Sequence, residues 1–454
     1  MTLAVLVLGE HISNTIAVAD GGTGGTTTVA RALVKYLLDP NDPKASFVRL
    51  ADRFSVNPPT TYLDCTFLSI LNDSDSSLEY KQVNLSNIER HRETFIPPEV
   101  WKGKETIHRF DVVYDLTGDT SFDKPELIQI SNTYQLSLSL ATSASSLSEE
   151  LKPKAWVRLT FPFYEMKSLP SSSAGYTEDA ELRPDGIRGR WWHEVLRGLG
   201  RLANNNLLNV GVIRCGAWYG RGTWDGEVIP RVVAGHVYQY LNEEMKFLYN
   251  SDLRINTVHS ADISQALYLL SLYLLKTPYP SILSTSPLIS FSFTPPSSSA
   301  IRLPLFNIVD KSDSTQGSLA KVVAETWGIK FGFLNSTVAT LVQQFAKTDF
   351  TEMVEDVNEM HVQAWSDMLS KSQPPIESTP ITPFLEEHAF KKRSTCLDGS
   401  HAEKVLGFIP KYPKVEVNEI KDIVKEFQED KLWCVSNCKR RKLAKRYPPR
   451  PKLL

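Results

Sequence analysis

The sequence predicts an α/β fold: a doubly wound parallel sheet with helices on both faces, followed by a smaller, mostly helical C-terminal lobe. Three observations predict it. Short apolar runs alternate with helical patterns through the first third of the chain, and strands that alternate with helices build a parallel sheet covered on both sides. A long helical segment near residue 190 leads into a further apolar run at 209–215. The chain has 454 residues, 42% hydrophobic and 22% charged, enough to bury a large core and to divide into two parts.

Taken in order, Leu3–Leu8 reads as a strand, Thr28–Leu38 as a helix and Ser46–Leu50 as a strand. Tyr80–Leu85, Asp111–Leu116 and Ala155–Thr160 read as further strands, Arg190–Leu202 as a helix and Asn209–Cys215 as the next strand. Ala266–Leu275 is the longest apolar stretch. It has about half the ~20 residues a membrane span needs, so it is expected to be a buried core helix. Ser137–Ser148 is serine-rich and Thr277–Pro304 is rich in serine and proline, so both are expected to be surface insertions with no packing role. The segment from Lys431 onward is expected to be a flexible tail. The expected division is 1–220 for the sheet domain, with 256–276 and 305–310 returning to it. Residues 221–430 then form most of the second lobe, with the 277–304 insertion, and 431–454 the basic tail.

Charge and cysteine content narrow the function classes. Eight of the fifty lysines and arginines fall in the last sixteen residues, leaving 42 bases against 52 acids in the rest. An acidic body argues against nucleic acid as the main ligand, because phosphate neutralisation supplies most of that affinity. Five scattered cysteines form no disulfide framework, and Cys434 and Cys438 have the wrong spacing for a zinc site. No metal is expected. No signal-peptide-like apolar segment opens the chain, so a reducing, cytoplasmic setting is expected, with the basic run 439–446 readable as a nuclear address. The partners expected are a small-molecule substrate and no membrane span; a homodimer is left open.

The segment Asp20–Thr28 reads DGGTGGTTT and runs into the apolar helix start Val29–Val34. Backbone N–H groups at close approach plus a helix N-terminus are what a phosphate requires, and glycines remove the side chains that would block both. Gly21, Gly22, Thr23, Gly24 and Gly25 are therefore the expected pyrophosphate cradle. The strand Phe47–Asp52 then ends in a carboxylate, and Asp52 is placed to accept the ribose hydroxyls of an adenosine. Arg53 follows and could instead hold a 2′-phosphate, so NAD and NADP both stay open. This is the pattern of a Rossmann-type sheet. The N-terminus departs from it: without Glu10–Gly21 the strand Val5–Leu8 and Gly9 would run straight into Gly22–Gly25. That reads as a twelve-residue insertion, and either Gly9 or Gly21 takes the first-glycine place.

Several further motifs follow in a fixed order. They are Gln82–Leu85, Asp111–Gly118, Ile213–Gly220 (IRCGAWYG), Asn256–Ile263, Leu397–Ser400 and Glu403–Phe408. Together with Gly21, Gly24 and Thr27 in a G-x-x-G-x-x-G frame, the sequence resembles the extended short-chain dehydrogenase/reductase family, also called NAD-dependent epimerase/dehydratase. The resemblance implies that Asn84 and Leu85 lie near the adenine and that Thr117 and Gly118 line the nicotinamide ribose.

The resemblance also implies a Ser or Thr after the fifth strand and a Tyr-x-x-x-Lys pair on the next helix, the lysine lowering the phenol pKa so that the tyrosine passes a proton. Thr160 fits the first position. Glu194 stands where the family often has a glutamate four residues after its lysine, which puts Arg190 on the lysine and Gly186 on the tyrosine. The acid/base is thus missing from its place, since arginine holds a ribose but does not shuttle protons. His193, Tyr164 and Tyr176 are the candidate substitutes. The reading reached from the sequence is an NAD(P)-binding oxidoreductase or epimerase-like enzyme acting on a hydroxyl or carbonyl of a small substrate. The alternative is a non-catalytic NAD(P)-binding regulator or scaffold.

Overall fold

A computed structural model describes residues 3–9, 27–101, 106–122, 124–170, 172–289, 301–334, 351–385 and 391–435. The chain begins with β1 (Leu3–Leu8), α1 (Thr28–Leu37), β2 (Ala45–Asp52), α2 (Cys65–Asn72), β3 (Leu78–Gln82), α3 (His91–Phe95) and β4 (Val112–Asp115). Then come α4 (Glu126–Gln129), a π-helical turn Ile130–Gln135, α5 (Leu136–Ser145), β5 (Ala155–Thr160), α6 (Gly186–Asn204), β6 (Val210–Cys215), β7 (Ala217–Tyr219) and α7 (Ile229–Leu241). The remainder holds β8 (Met245–Phe247), β9 (Thr257–His259), α8 (Ser260–Lys276), α9 (Tyr279–Thr285), β10 (Leu305–Ile308), α10 (Gln316–Trp327), β11 (Phe331–Phe333) and the helices Thr351–Lys371, Ser400–Leu406 and Val417–Glu429.

Seven parallel strands form the main sheet in the order β3-β2-β1-β4-β5-β6-β10. Every residue of β1, β4, β5 and β6 is buried, the signature of strands covered on both faces. Helices α1 and α8 pack together, α8 also touching β5 and β6, whereas α3, α5 and α6 form a second contiguous set. The strand order reverses beside β1, so a crevice opens at the carboxyl ends of β1 and β4, where doubly wound sheets take their ligands. A second hydrophobic cluster joins α7, β8, α10 and the helices Thr351–Lys371 and Val417–Glu429 around Trp327, Trp365 and Trp433. No helix among the described residues is long and apolar enough to cross a membrane.

Three expectations are corrected. Ser137–Ser148 is no surface insertion: α5 occupies most of it and buries Leu136, Ser137, Leu140, Ala141 and Ala144. Its serines are tolerated because their hydroxyls bond to groups within reach, as Ser137 does to Asp115 at 2.6 Å. The described parts of 277–304 also pack, through α9 with Tyr279 and Ile282 and through Ile301 and Leu303, and the Tyr279 hydroxyl closes onto the backbone of Val210. Finally, the chain beyond Lys431 does not leave the body at once. Trp433 and Cys434 are each 1% exposed, the indole donating to His236 Nδ1 at 2.9 Å.

Candidate functional site

At the carboxyl end of β1, Gly9 faces the end of β2. A Cβ built on it would stand 3.4 Å from Asp52 Oδ2 and 3.8 Å from Ala30 Cβ, so the strand end lies directly against that carboxylate. Asp52 is fully buried and accepts from the Phe54 backbone N–H. The N-terminus of α1 stands beside them, capped by the Thr27 side chain, which accepts from Ala30 N at 3.0 Å. The next turn is pinned by a distant loop: Thr28 and the buried Arg31 donate to the Gly222 carbonyl, and Arg31 pairs with Asp64 at 3.0 Å. Gly21, Gly22, Thr23, Gly24 and Gly25 lie outside the described residues. Arg53 lies over the Phe54 ring, Asn84 is exposed and accepts from Ser86 N, and Leu85 is buried with its carbonyl bonded to His91.

At the end of β4 the polar residues turn inward. Arg158 on β5 and Asp115 on β4 form an ion pair at 2.6 Å with both side chains fully buried, and Thr117 bridges them, donating to Asp115 and accepting from Arg158. Burial pulls the Arg158 pKa down and Asp115 opposes the pull. The indole of Trp192 covers the guanidinium at 4.8 Å and donates to the Asp119 carbonyl. Gly118, at φ +129°, is what allows that ring to lie so close.

Helix α6 presents a different face to these strand ends than the sequence register required. Arg190 is 59% exposed and pairs with Glu126 at 3.3 Å, so it does not reach the crevice. Gly186 begins the helix with open space around its Cα. The inward residues are Arg188 and Trp192, one helical turn apart, with Gly189 between them pressed on the Phe163 carbonyl. The assignment of Arg190 to the lysine position therefore fails in geometry. Helical periodicity held the missing signal: Trp192, Val195, Leu196, Leu199 and Ala203 mark the buried stripe, and Arg190 falls outside it.

His193 also faces inward. It meets Tyr164, whose hydroxyl lies 3.1 Å from His193 Nδ1, both side chains being buried. Burial raises the Tyr164 pKa, while the Arg214 guanidinium, 5.6 Å from the ring, works the other way. Thr160 ends β5 in register with Arg214 and is 3% exposed. The loop that follows it supplies Pro162, Phe163 and Tyr164 to a cavity of about 260 Å³. Thr120 and Ser121, Arg188, Gly216–Trp218 and a wall from the second lobe complete the cavity, while Tyr176 does not line it. Among the described residues no cluster of His, Cys, Asp or Glu could hold a metal ion.

A switch point in the strand order, a glycine against a buried carboxylate and a capped helix N-terminus beside them define a doubly wound, Rossmann-type α/β protein. More particularly, the chain has the fold of the extended short-chain dehydrogenases. It superposes on a dTDP-glucose 4,6-dehydratase from Streptomyces venezuelae with NAD bound, at a TM-score of 0.57 and 13% identity over 95% of this chain and 99% of that one. A UDP-glucose 4-epimerase from Thermotoga maritima gives 0.54 and 14% over 94% and 99%. The UDP-glucose 4-epimerase of Thermus thermophilus, in complex with NAD, gives 0.54 and 13% over 94% and 99%. No protein-family profile and no curated protein matches the chain by sequence.

Proposed function

We propose that the chain binds NAD or NADP along the carboxyl edge of the sheet and acts as an oxidoreductase or epimerase-like enzyme on a hydroxyl or carbonyl of a small substrate held in the cavity. The adenosine half of the cofactor suits the residues present, with Asp52 beside Gly9 for the ribose and the α1 N-terminus for the pyrophosphate. When bound, the cofactor supplies or accepts hydride. The proton then falls to this chain's own groups. One observation carries the reading: Tyr164 lines the cavity and its hydroxyl lies within hydrogen-bond distance of His193 Nδ1, which gives the phenol an imidazole partner. The names of the structural neighbours, a glucose-nucleotide dehydratase and UDP-glucose epimerases, support a sugar-like substrate.

A second reading is favoured by Trp192 and Arg188, which stand where the fold's lysine and tyrosine would be expected from their one-turn spacing on α6. In that reading the chain binds the cofactor without turnover and reports it to a partner. Cofactor binding followed by hydride turnover over a panel of alcohols and nucleotide sugars separates the two. Turnover that falls by about two to four orders of magnitude in Tyr164→Phe with cofactor affinity unchanged supports the enzyme. Tight cofactor binding with no turnover in the wild type supports the regulator.

A further inference from the structure

We infer that Arg214 is the positioning residue for Tyr164: Asn307 holds its buried guanidinium beside the phenol ring, where a fixed positive charge favours the phenolate. The inference rests on the reading of Tyr164 as the group that moves the proton, and adds the residue that supports its anionic form. The guanidinium Cζ lies 5.6 Å from the Tyr164 ring centroid, and the two residues are 3% and 9% exposed. An opposite charge at this range favours the ionised form of its neighbour, and burial spares the pair most of the screening by salt and water. Arginine keeps its proton at every working pH, so the charge is always present.

The sheet fixes where that charge sits. Arg214 on β6 stands directly across from Asn307 on β10, and its Nε donates to Asn307 Oδ1 at 2.7 Å while an Nη donates to the Thr177 carbonyl at 3.4 Å. Asn307 is itself clamped: its Nδ2 donates to the carbonyls of Tyr176 and Asp398 at 3.0 and 3.1 Å, which turns Oδ1 toward the guanidinium. Buried cations are ordinarily paired with carboxylates. Among the described residues none pairs with Arg214, whose hydrogen-bond partners are neutral oxygens. Glu178 is the acid coupled to this charge, but its oxygens are engaged elsewhere. Its Oε1 accepts from the Asn307 backbone N–H at 2.7 Å, its Oε2 stands 3.6 Å from His401 Nδ1, and burial holds the carboxyl toward its neutral form. The guanidinium thus acts on the phenol with no bonded carboxylate to cancel it. Of the other titratable groups around Tyr164, His193 on α6 meets the hydroxyl, Tyr176 packs on the same small cluster and Arg188 shares the cavity, whereas Met166, Leu182 and Leu397 add only apolar surface.

The test reads the phenol directly and needs no turnover. A difluorotyrosine, more acidic than tyrosine, is placed at position 164 of the full chain, and fluorine NMR follows its ionisation with pH. Arg214→Gln is expected to raise the midpoint by about 1 pH unit or more, a tenfold loss of phenolate at a given pH, as for removal of an opposite charge at this distance. Arg214→Lys keeps the charge and should restore most of the original value, which a purely structural role for the arginine would not require. Asn307→Ala frees the guanidinium without removing it, should raise the midpoint by a smaller step, and carries the test if Arg214→Gln does not fold. A midpoint unchanged in folded Arg214→Gln, or in folded Asn307→Ala where the glutamine variant does not fold, overturns the inference. So does an equal rise in Arg214→Lys and Arg214→Gln. Absence of hydride turnover in the wild type would count against the proposed function and leaves this titration to decide the role of Arg214.

Discussion

Trp192 lies across Gly118 so closely that a Cβ on the glycine would fall 2.7 Å from the indole Cζ2. The contact joins the end of β4 to α6, and Gly118 at φ +129° is the residue that permits it. Gly118→Ala adds both a methyl clash and backbone strain, and should cost ~2–4 kcal/mol in urea unfolding. In a Trp192→Ala background the clash is gone and the added cost should drop well below that range. Equal costs in the two backgrounds would mean that Trp192 does not press on Gly118.

The Arg158–Asp115 pair beneath it is buried on all sides. Asp115→Asn keeps the shape and leaves a guanidinium in the core without its countercharge, so a loss of about 3 kcal/mol or more is expected in the same assay. Replacing both with Arg158→Met and Asp115→Leu should cost less than the single change. A single-variant loss under about 1 kcal/mol would show that the pair contributes little.

Asp52 is expected to set the cofactor preference. Its carboxylate stands against Gly9, where a ribose diol would be accepted. Asp52→Ala should weaken NAD by about tenfold or more while affecting NADP less, because a 2′-phosphorylated ribose lacks one of the two hydroxyls. Fluorescence titration with both reduced cofactors reads the difference, and equal losses would remove Asp52 from the site.

In the second lobe, two buried histidines should couple stability to pH. His236 stacks on Trp327 at 3.9 Å and accepts from Trp433, and burial pushes its pKa down to about 3. His361 is lowered to about 4 for the same reason. Both protonate near 6.5 when unfolded, so below that value the unfolded chain binds more protons than the folded one. The stability they contribute is fully present above pH 6.5 and is lost as pH falls toward 4 and then 3, at up to ~1.4 kcal/mol per pH unit for each histidine. His361→Leu should flatten the acid limb of the unfolding free energy measured between pH 7 and pH 4. An unchanged slope would place the histidine's titration elsewhere.

The bounds of β1 and β5 and the burial of α8 were legible in the sequence, because long apolar runs admit few placements and parallel strands need no alternation. The face of α6 was less legible. Its register was read from the interval between Arg190 and Glu194, and a shift of two residues on a helix turns a side chain by about 200°, from the crevice to solvent. Apolar content also misled at the ends: a serine-rich stretch packs as α5 once its hydroxyls find partners, and Trp433 docks into a cluster made by residues nearly two hundred positions earlier.

By itself, the sequence determined the alternation of strands and helices, the order of the sheet-forming runs and the carboxylate that ends β2, since these follow from local periodicity and from the nearest neighbours in the chain. Only the tertiary structure decided which α6 residues meet the strand ends, that Tyr164 finds His193, and that Arg188, Lys391 and Arg393 gather around Phe122. Those groupings join residues up to about 270 positions apart. They depend on helix rotation and on how the second lobe closes over the sheet, which are set by packing across the whole core and leave no local trace in the sequence.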